Sequence, residues 1–88
     1  MTKNHFKSVL NVSGGQFVFQ TDKHEGMIGI SPASVVIWVD DIGADGEEQK
    51  NIGEFKSVNE LLEKFNVDGE PFAVIILPKI TELNMIRT

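Results

Sequence analysis

The middle of the chain decides its fold. Residues 34–40 read Ser-Val-Val-Ile-Trp-Val-Asp, a run dense in β-branched and aromatic side chains. Such side chains favour extended backbone. The run is apolar on both alternating faces, because Val36 and Trp38 share one face while Val35 and Ile37 share the other. It therefore predicts a central strand that is covered on both sides.

Short apolar runs on both sides of this strand are separated by Gly, Pro and polar residues, a pattern typical of further strands. The glycines of Ser13-Gly14-Gly15 can adopt the positive φ angles of a tight turn, which predicts a hairpin between the first two strands. The predicted strands span residues 6–12, 16–21, 27–31 and 51–56, and the last of them pairs back with the central strand.

Two segments near the C-terminus complete the predicted sheet. Phe72 to Leu77 is a run of apolar residues between Pro71 and Pro78, too short for a buried helix, and it predicts an inner strand close to residues 34–40. Residues 79–88 show no convincing periodicity and are interpreted as an irregular or edge segment.

One helix is well specified. Ser57 followed by Glu60 is a capping box, in which the serine oxygen accepts a hydrogen bond from the glutamate backbone N–H. Asn66 is the predicted left-handed residue that ends the helix. The apolar residues recur at helical spacing and form one buried stripe: Val58, Leu61, Leu62 and Phe65.

The predicted fold class is α+β. It consists of a small, mainly antiparallel sheet of about five to six short strands that starts with a hairpin or meander, and of one amphipathic helix near residues 57–66 packed on one face. The length of 88 residues predicts one domain over residues 1–88. The chain has no cysteine, so packing must supply its stability.

Composition restricts the classes of partner and the location. The net charge of −5 disfavours direct binding to nucleic acid or to anionic lipid. No stretch approaches the ~18 apolar residues of a membrane span, and the basic N-terminus is not followed by the apolar segment of a secretory signal. We therefore expect a cytoplasmic protein without direct contact to nucleic acid or membrane.

Two stretches resemble catalytic or metal-binding motifs only in part. Residues 29–33, Gly-Ile-Ser-Pro-Ala, approximate a nucleophile elbow, but a strand follows Ser31 where the elbow requires a helix. Asp41 and Asp45 fit a calcium loop, whereas Gly43 and Ile52 occupy ligand positions of that loop. His5 and His24 have no third ligand at a recognised spacing. We therefore predict no catalytic, cofactor-binding or metal-binding residue, no cofactor and no enzymatic activity.

An acidic segment is the one surface feature of the sequence that points toward a partner. Carboxylates this dense create a negative field that steers a basic partner, although an acidic turn can also serve only to keep a β protein soluble. The candidate partner-binding residues are Asp40, Asp41, Asp45, Glu47 and Glu48, extended by Glu54 on the neighbouring strand.

The resulting hypothesis is a non-catalytic protein-binding, regulatory or inhibitory module that acts on another, basic, protein through this acidic turn. The first alternative is a structural subunit that forms homo-oligomers through exposed strand edges, with the first strand and the C-terminal segment as candidate edges. The second alternative is a small-molecule-binding protein or a small enzyme, for which a core this size leaves little room for a cleft.

Overall fold

Antiparallel strands form the centre of the protein, as predicted. The computed structural model describes residues 1–11, 15–43 and 51–86, which combine a five-stranded sheet, a small two-stranded sheet and helices into an α+β fold. The elements in chain order are α1 (Lys3–Asn11), β1 (Gly15–Gln20), β2 (His24–Ile30), β3 (Val35–Asp41), β4 (Asn51–Phe55), α2 (Val58–Lys64), β5 (Asn66–Val67), β6 (Glu70–Pro71), α3 (Phe72–Ile75), a 3₁₀ turn (Leu77–Lys79) and β7 (Asn84–Ile86).

The large sheet has the strand order β4-β3-β2-β1-β7, with every pair antiparallel. Strands β1 to β4 follow one another as a meander, which confirms the strands predicted at 16–21, 27–31, 34–40 and 51–56. The C-terminal segment returns to pair with β1, with Phe17 opposite Met85. Residues 84–86 are therefore an edge strand, in agreement with the prediction for this segment.

Helix α2 confirms the capping and packing that the sequence predicts. The Ser57 side chain accepts a hydrogen bond from the Glu60 backbone N–H at 3.1 Å. The apolar stripe Val58, Leu61, Leu62 and Phe65 is buried. The predicted terminator is wrong, because the chain leaves the helix at Phe65 with extended backbone and the left-handed residues are Asp68 (φ 52°) and Gly69 (φ 83°), in the turn between β5 and β6.

The N-terminal segment is a helix, so the strand predicted at residues 6–12 is wrong. The Thr2 hydroxyl accepts from the His5 N–H at 3.1 Å and stabilises the start of α1. Phe6 and Leu10 are one helical turn apart and both are fully buried. The predicted hairpin loses its first strand, and residues 13 and 14 of its predicted turn lie outside the described residues.

The apolar run after Pro71 is also helical, so the inner strand predicted at residues 72–77 is wrong. Phe72 and Ile76 are fully buried whereas Val74 is 67% exposed, which is the period of a helix and not of a strand. Phe72 stands at the centre of the core, and its ring packs against three others: Phe6 at a centroid distance of 5.8 Å, Phe19 at 6.1 Å and Phe65 at 5.7 Å.

These buried residues form one hydrophobic core between the helices and one face of the sheet. On β1 and β3 the side chains that point into this core are Phe17, Phe19, Val35, Ile37 and Val39. The alternate side chains of the same strands therefore point away from the helices.

Candidate functional site: the open face of the sheet

The face of the sheet opposite the helices is uncovered within the described residues, and we call it the open face. Along β3, Val35, Ile37 and Val39 are buried, Trp38 is half-buried and Val36 is exposed. The prediction that this strand is covered on both sides is therefore wrong for one side. Trp38, which coverage of both sides would have buried, lies on the open face.

A continuous row of apolar side chains crosses the open face. The strand register places Val18 opposite Met27, Met27 opposite Trp38, and Trp38 opposite Ile52. Directly opposed residues share one face of a sheet, so the four side chains are neighbours across β1, β2, β3 and β4. We call this row the apolar strip. Ile52 at its end is 58% exposed.

Gly29 opens a depression beside the apolar strip. It lies opposite both Gln16 and Val36, and a Cβ atom at this position would have no atom within 4 Å apart from those of its chain neighbours. The depression has a volume of about 350 Å³, and Met27 and Trp38 form part of its lining. A second depression of about 310 Å³ lies on the other side of the same two residues, beside Val18 and Glu25. The open face thus contains two depressions into which side chains of another molecule can fit.

The charged side chains on the open face of the described strands are all acidic. Glu25 lies opposite Asp40, in the row next to the apolar strip. Glu54 lies opposite Val36, in the row on the other side of the strip. The apolar strip is therefore flanked by carboxylates on both sides.

The structure separates the acidic residues that the sequence grouped together. The side chains of Asp40 and Glu54 lie on the open face. Asp41 points to the other face, where its Oδ1 lies 3.4 Å from His24 Nε2. Asp45, Glu47 and Glu48 lie outside the described residues.

The serine of the partial elbow motif lies in the turn that joins β2 to β3. The Ser31 hydroxyl donates to the Ser34 carbonyl at 3.2 Å and accepts from the Ser34 N–H at 3.3 Å. The side chain thus closes a tight turn, as the sequence indicates, and no helix follows it.

Sequence reasoning missed the apolar strip. The signal was present, because Val18 alternates with Phe17 and Phe19, and Trp38 alternates with Ile37 and Val39. Joining such residues into one row requires the register of four strands, which alternation within one strand does not provide.

Comparison with protein-family models, with curated proteins and with solved structures found no match. Among the helices in the described part of the chain, none is long and apolar enough to cross a membrane. The function is therefore inferred from the geometry of the open face.

Proposed function

We propose that this protein is a non-catalytic binding module that holds an apolar and basic segment of another protein on its open face. The observation that carries the proposal is the apolar strip of Val18, Met27, Trp38 and Ile52, aligned across four strands and flanked by carboxylates. Contiguous apolar surface with a polar rim is characteristic of protein–protein contact sites.

Trp38 is the expected anchor of the contact. Tryptophan is enriched among the residues that dominate binding energy, because it buries a large area at a low entropic cost. It lies between Met27 and Ile52 and lines both depressions, so a partner that covers the strip also covers the indole ring.

Charge complementarity specifies the chemistry of the partner. Glu25, Asp40 and Glu54 flank the strip, and the whole chain carries a net charge of −5. Opposite charge accelerates association and suppresses binding of acidic competitors. A segment with aliphatic or aromatic side chains between lysines or arginines therefore fits the face best. The proposal keeps the basic protein partner expected from the sequence, but its contact site is the open face rather than the acidic turn.

The test is selection from a randomised displayed peptide library against the purified protein. We expect the enriched peptides to combine apolar residues with Lys or Arg and to bind more weakly as salt is raised. Trp38→Ala and Ile52→Ala should each weaken binding strongly. Val74→Ala is the matched control for Ile52→Ala, since Val74 is an aliphatic residue on the helical side of the protein and is at least as exposed as Ile52.

Charge is tested separately from apolar contact. Glu54→Lys should slow association with the selected peptides several-fold, whereas Glu70→Lys, which makes the same charge change at an exposed position in β6, should not. Peptides without a preference for basic residues, or binding that survives both Trp38→Ala and Ile52→Ala, would contradict the proposal.

A second candidate is self-assembly through strand edges. The described sheet is open rather than closed, with β4 at one edge and the short β7 at the other. Edge strands present unpaired backbone groups to which another strand can add. The mass of the protein in solution over a range of concentrations separates the two candidates, because only self-assembly makes the mass rise with concentration.

A further inference from the structure

The end of the sheet opposite the β2–β3 turn brings together three side chains of the kind that ligate metals. His24 is the first residue of β2, Asp41 is the last residue of β3, and Asp68 lies in the turn between β5 and β6. One ligand atom from each lies within 4.8 Å of the others. Their separation in sequence explains why no ligand spacing was recognisable.

The strand pairing and a turn hold His24 and Asp41 side by side. The two residues are direct partners across β2 and β3. The Thr21 hydroxyl accepts from the His24 N–H at 3.0 Å, and the Ile42 N–H donates to the Lys23 carbonyl at 3.0 Å. The His24 side chain is only 17% exposed, whereas that of Asp41 is 53% exposed. The imidazole is therefore restrained, and it lies beside a carboxylate that is more exposed than the ring.

Asp68 is positioned by a reciprocal pair of hydrogen bonds. Its backbone N–H donates to Asn51 Oδ1 at 3.0 Å, and Asn51 Nδ2 donates to Asp68 Oδ1 at 3.4 Å. Asn51 is the first residue of β4, so these bonds join the β5–β6 turn to the large sheet. They bring the third carboxylate to the same place as the other two side chains.

The distances suit a small transition-metal ion. Zinc binds histidine nitrogen and carboxylate oxygen at about 2.0–2.2 Å, so two such ligands in a tetrahedral site lie roughly 3.4 Å apart. His24 Nε2 and Asp41 Oδ1 are 3.4 Å apart already. The remaining pairs of ligand atoms are separated by at most 4.8 Å and have to close to roughly 3.4 Å, which a rotamer change of the exposed Asp68 side chain can supply.

We propose that His24, Asp41 and Asp68 form a binding site for a divalent transition-metal ion such as Zn²⁺, with water completing the coordination. The imidazole nitrogen separates this site from an ordinary group of surface carboxylates, because imidazole favours zinc, copper and nickel over calcium and magnesium. The open face lies on the other side of the sheet, so the site goes beyond the proposed function and does not depend on it.

The test is a calorimetric titration of the metal-free protein, with any affinity tag removed, using Zn²⁺ alone. We expect saturable binding of one ion per chain and a rise in melting temperature, because binding to the folded state raises apparent stability. His24→Ala and Asp68→Asn should each weaken zinc binding about 10-fold or more. Loss of a residue that only hydrogen-bonds to a metal ligand already weakens binding by about 10-fold, and loss of a ligand should cost at least as much. His5→Ala is the matched control, since the chain has two histidines and His5 is exposed on α1.

A measurement on the wild-type protein guards against variants that fail to fold. Zn²⁺ should shift the imidazole nitrogen resonances of His24 and leave those of His5 in place. Calcium, which prefers about six to eight oxygen ligands, should leave the melting temperature unchanged. Binding that survives His24→Ala, no zinc binding at all, or equal shifts at both histidines would overturn the proposal and leave His24 and Asp41 as a surface pair.

Discussion

The ring of Phe19 lies over Gly26, its direct partner across β1 and β2, in the space that a side chain at position 26 would need. A Cβ atom there would approach Phe19 Cζ to 2.5 Å and the Trp38 carbonyl oxygen to 2.6 Å. The second contact is with backbone and cannot be relieved by a rotamer change. Gly26 is therefore required by the close packing of the core against the sheet.

Gly26→Ala should destabilise the protein by about 1–3 kcal/mol, the usual cost of overpacking a filled core. Gly29→Ala on the same strand is the control, since it meets open space and should lie within about 0.5 kcal/mol of wild type. Urea unfolding curves of the two variants give both values. Equal stability of the two variants would contradict the packing described for β2.

Phe72→Ala should destabilise by roughly 3–5 kcal/mol, because the ring is fully buried among three other phenylalanines. Val74→Ala should change stability by less than about 0.5 kcal/mol, because Val74 is 67% exposed. In a strand these two residues would share one face, so the pair distinguishes α3 from the inner strand that the sequence predicts. Losses of similar size at both positions, measured by thermal or urea unfolding, would favour the strand.

Ser57→Ala should destabilise by about 1 kcal/mol through the loss of the hydrogen bond to the Glu60 N–H. Leu61→Ala, at a fully buried position of the same helix, should cost roughly 2–5 kcal/mol through the cavity that it leaves. The free energies of unfolding of the two variants show whether Leu61→Ala is the more destabilising change. A leucine variant as stable as wild type would show that α2 does not pack through this stripe.

A chain that ends at Leu83 lacks β7 and should self-associate. Removing residues 84–86 leaves the backbone groups of β1 along that edge unpaired, and such edges template pairing between chains. Light scattering at equal concentrations compares this chain with a control that ends at Ile86. A truncated chain that stays monomeric and as stable as the control would show that β7 contributes little to the sheet.

The sequence predicted those elements whose pattern is local. Strands β1 to β4 and the capped helix α2 all carry alternation or helical spacing within a few residues, and all five are present. The helix at residues 3–11 was missed because the paired glycines at 14 and 15 favoured a hairpin. Its own signals, Thr2 before the helix and Phe6 with Leu10 one turn apart, are weak in a helix of nine residues.

The remaining errors concern tertiary arrangement. Val74 hides the helical period of residues 72–77, because it is exposed and yet as apolar as its buried neighbours. Likewise, no pattern within β3 shows whether one or both of its faces are covered. That depends on where α1, α2 and α3 pack, and all three belong to the same core. Within the predicted acidic site, the pairing of β4 with β3 explains why Asp40 and Glu54 share a face. The position of Asp41 beside His24 could not be predicted from the acidic cluster, because it depends on the register of β2 against β3.

Because Trp38 is the sole tryptophan and the chain has no tyrosine, the intrinsic fluorescence of the protein originates almost entirely from the open face. In the folded protein the Trp38 ring should already be accessible to a neutral quencher such as acrylamide, whereas a tryptophan in the core would be shielded from it. Fluorescence is consequently a poor measure of global unfolding here and should be paired with circular dichroism, whose transition need not coincide with it. For the same reason it is a sensitive label-free signal for anything that settles over the strip, since covering the indole shifts its emission to shorter wavelength.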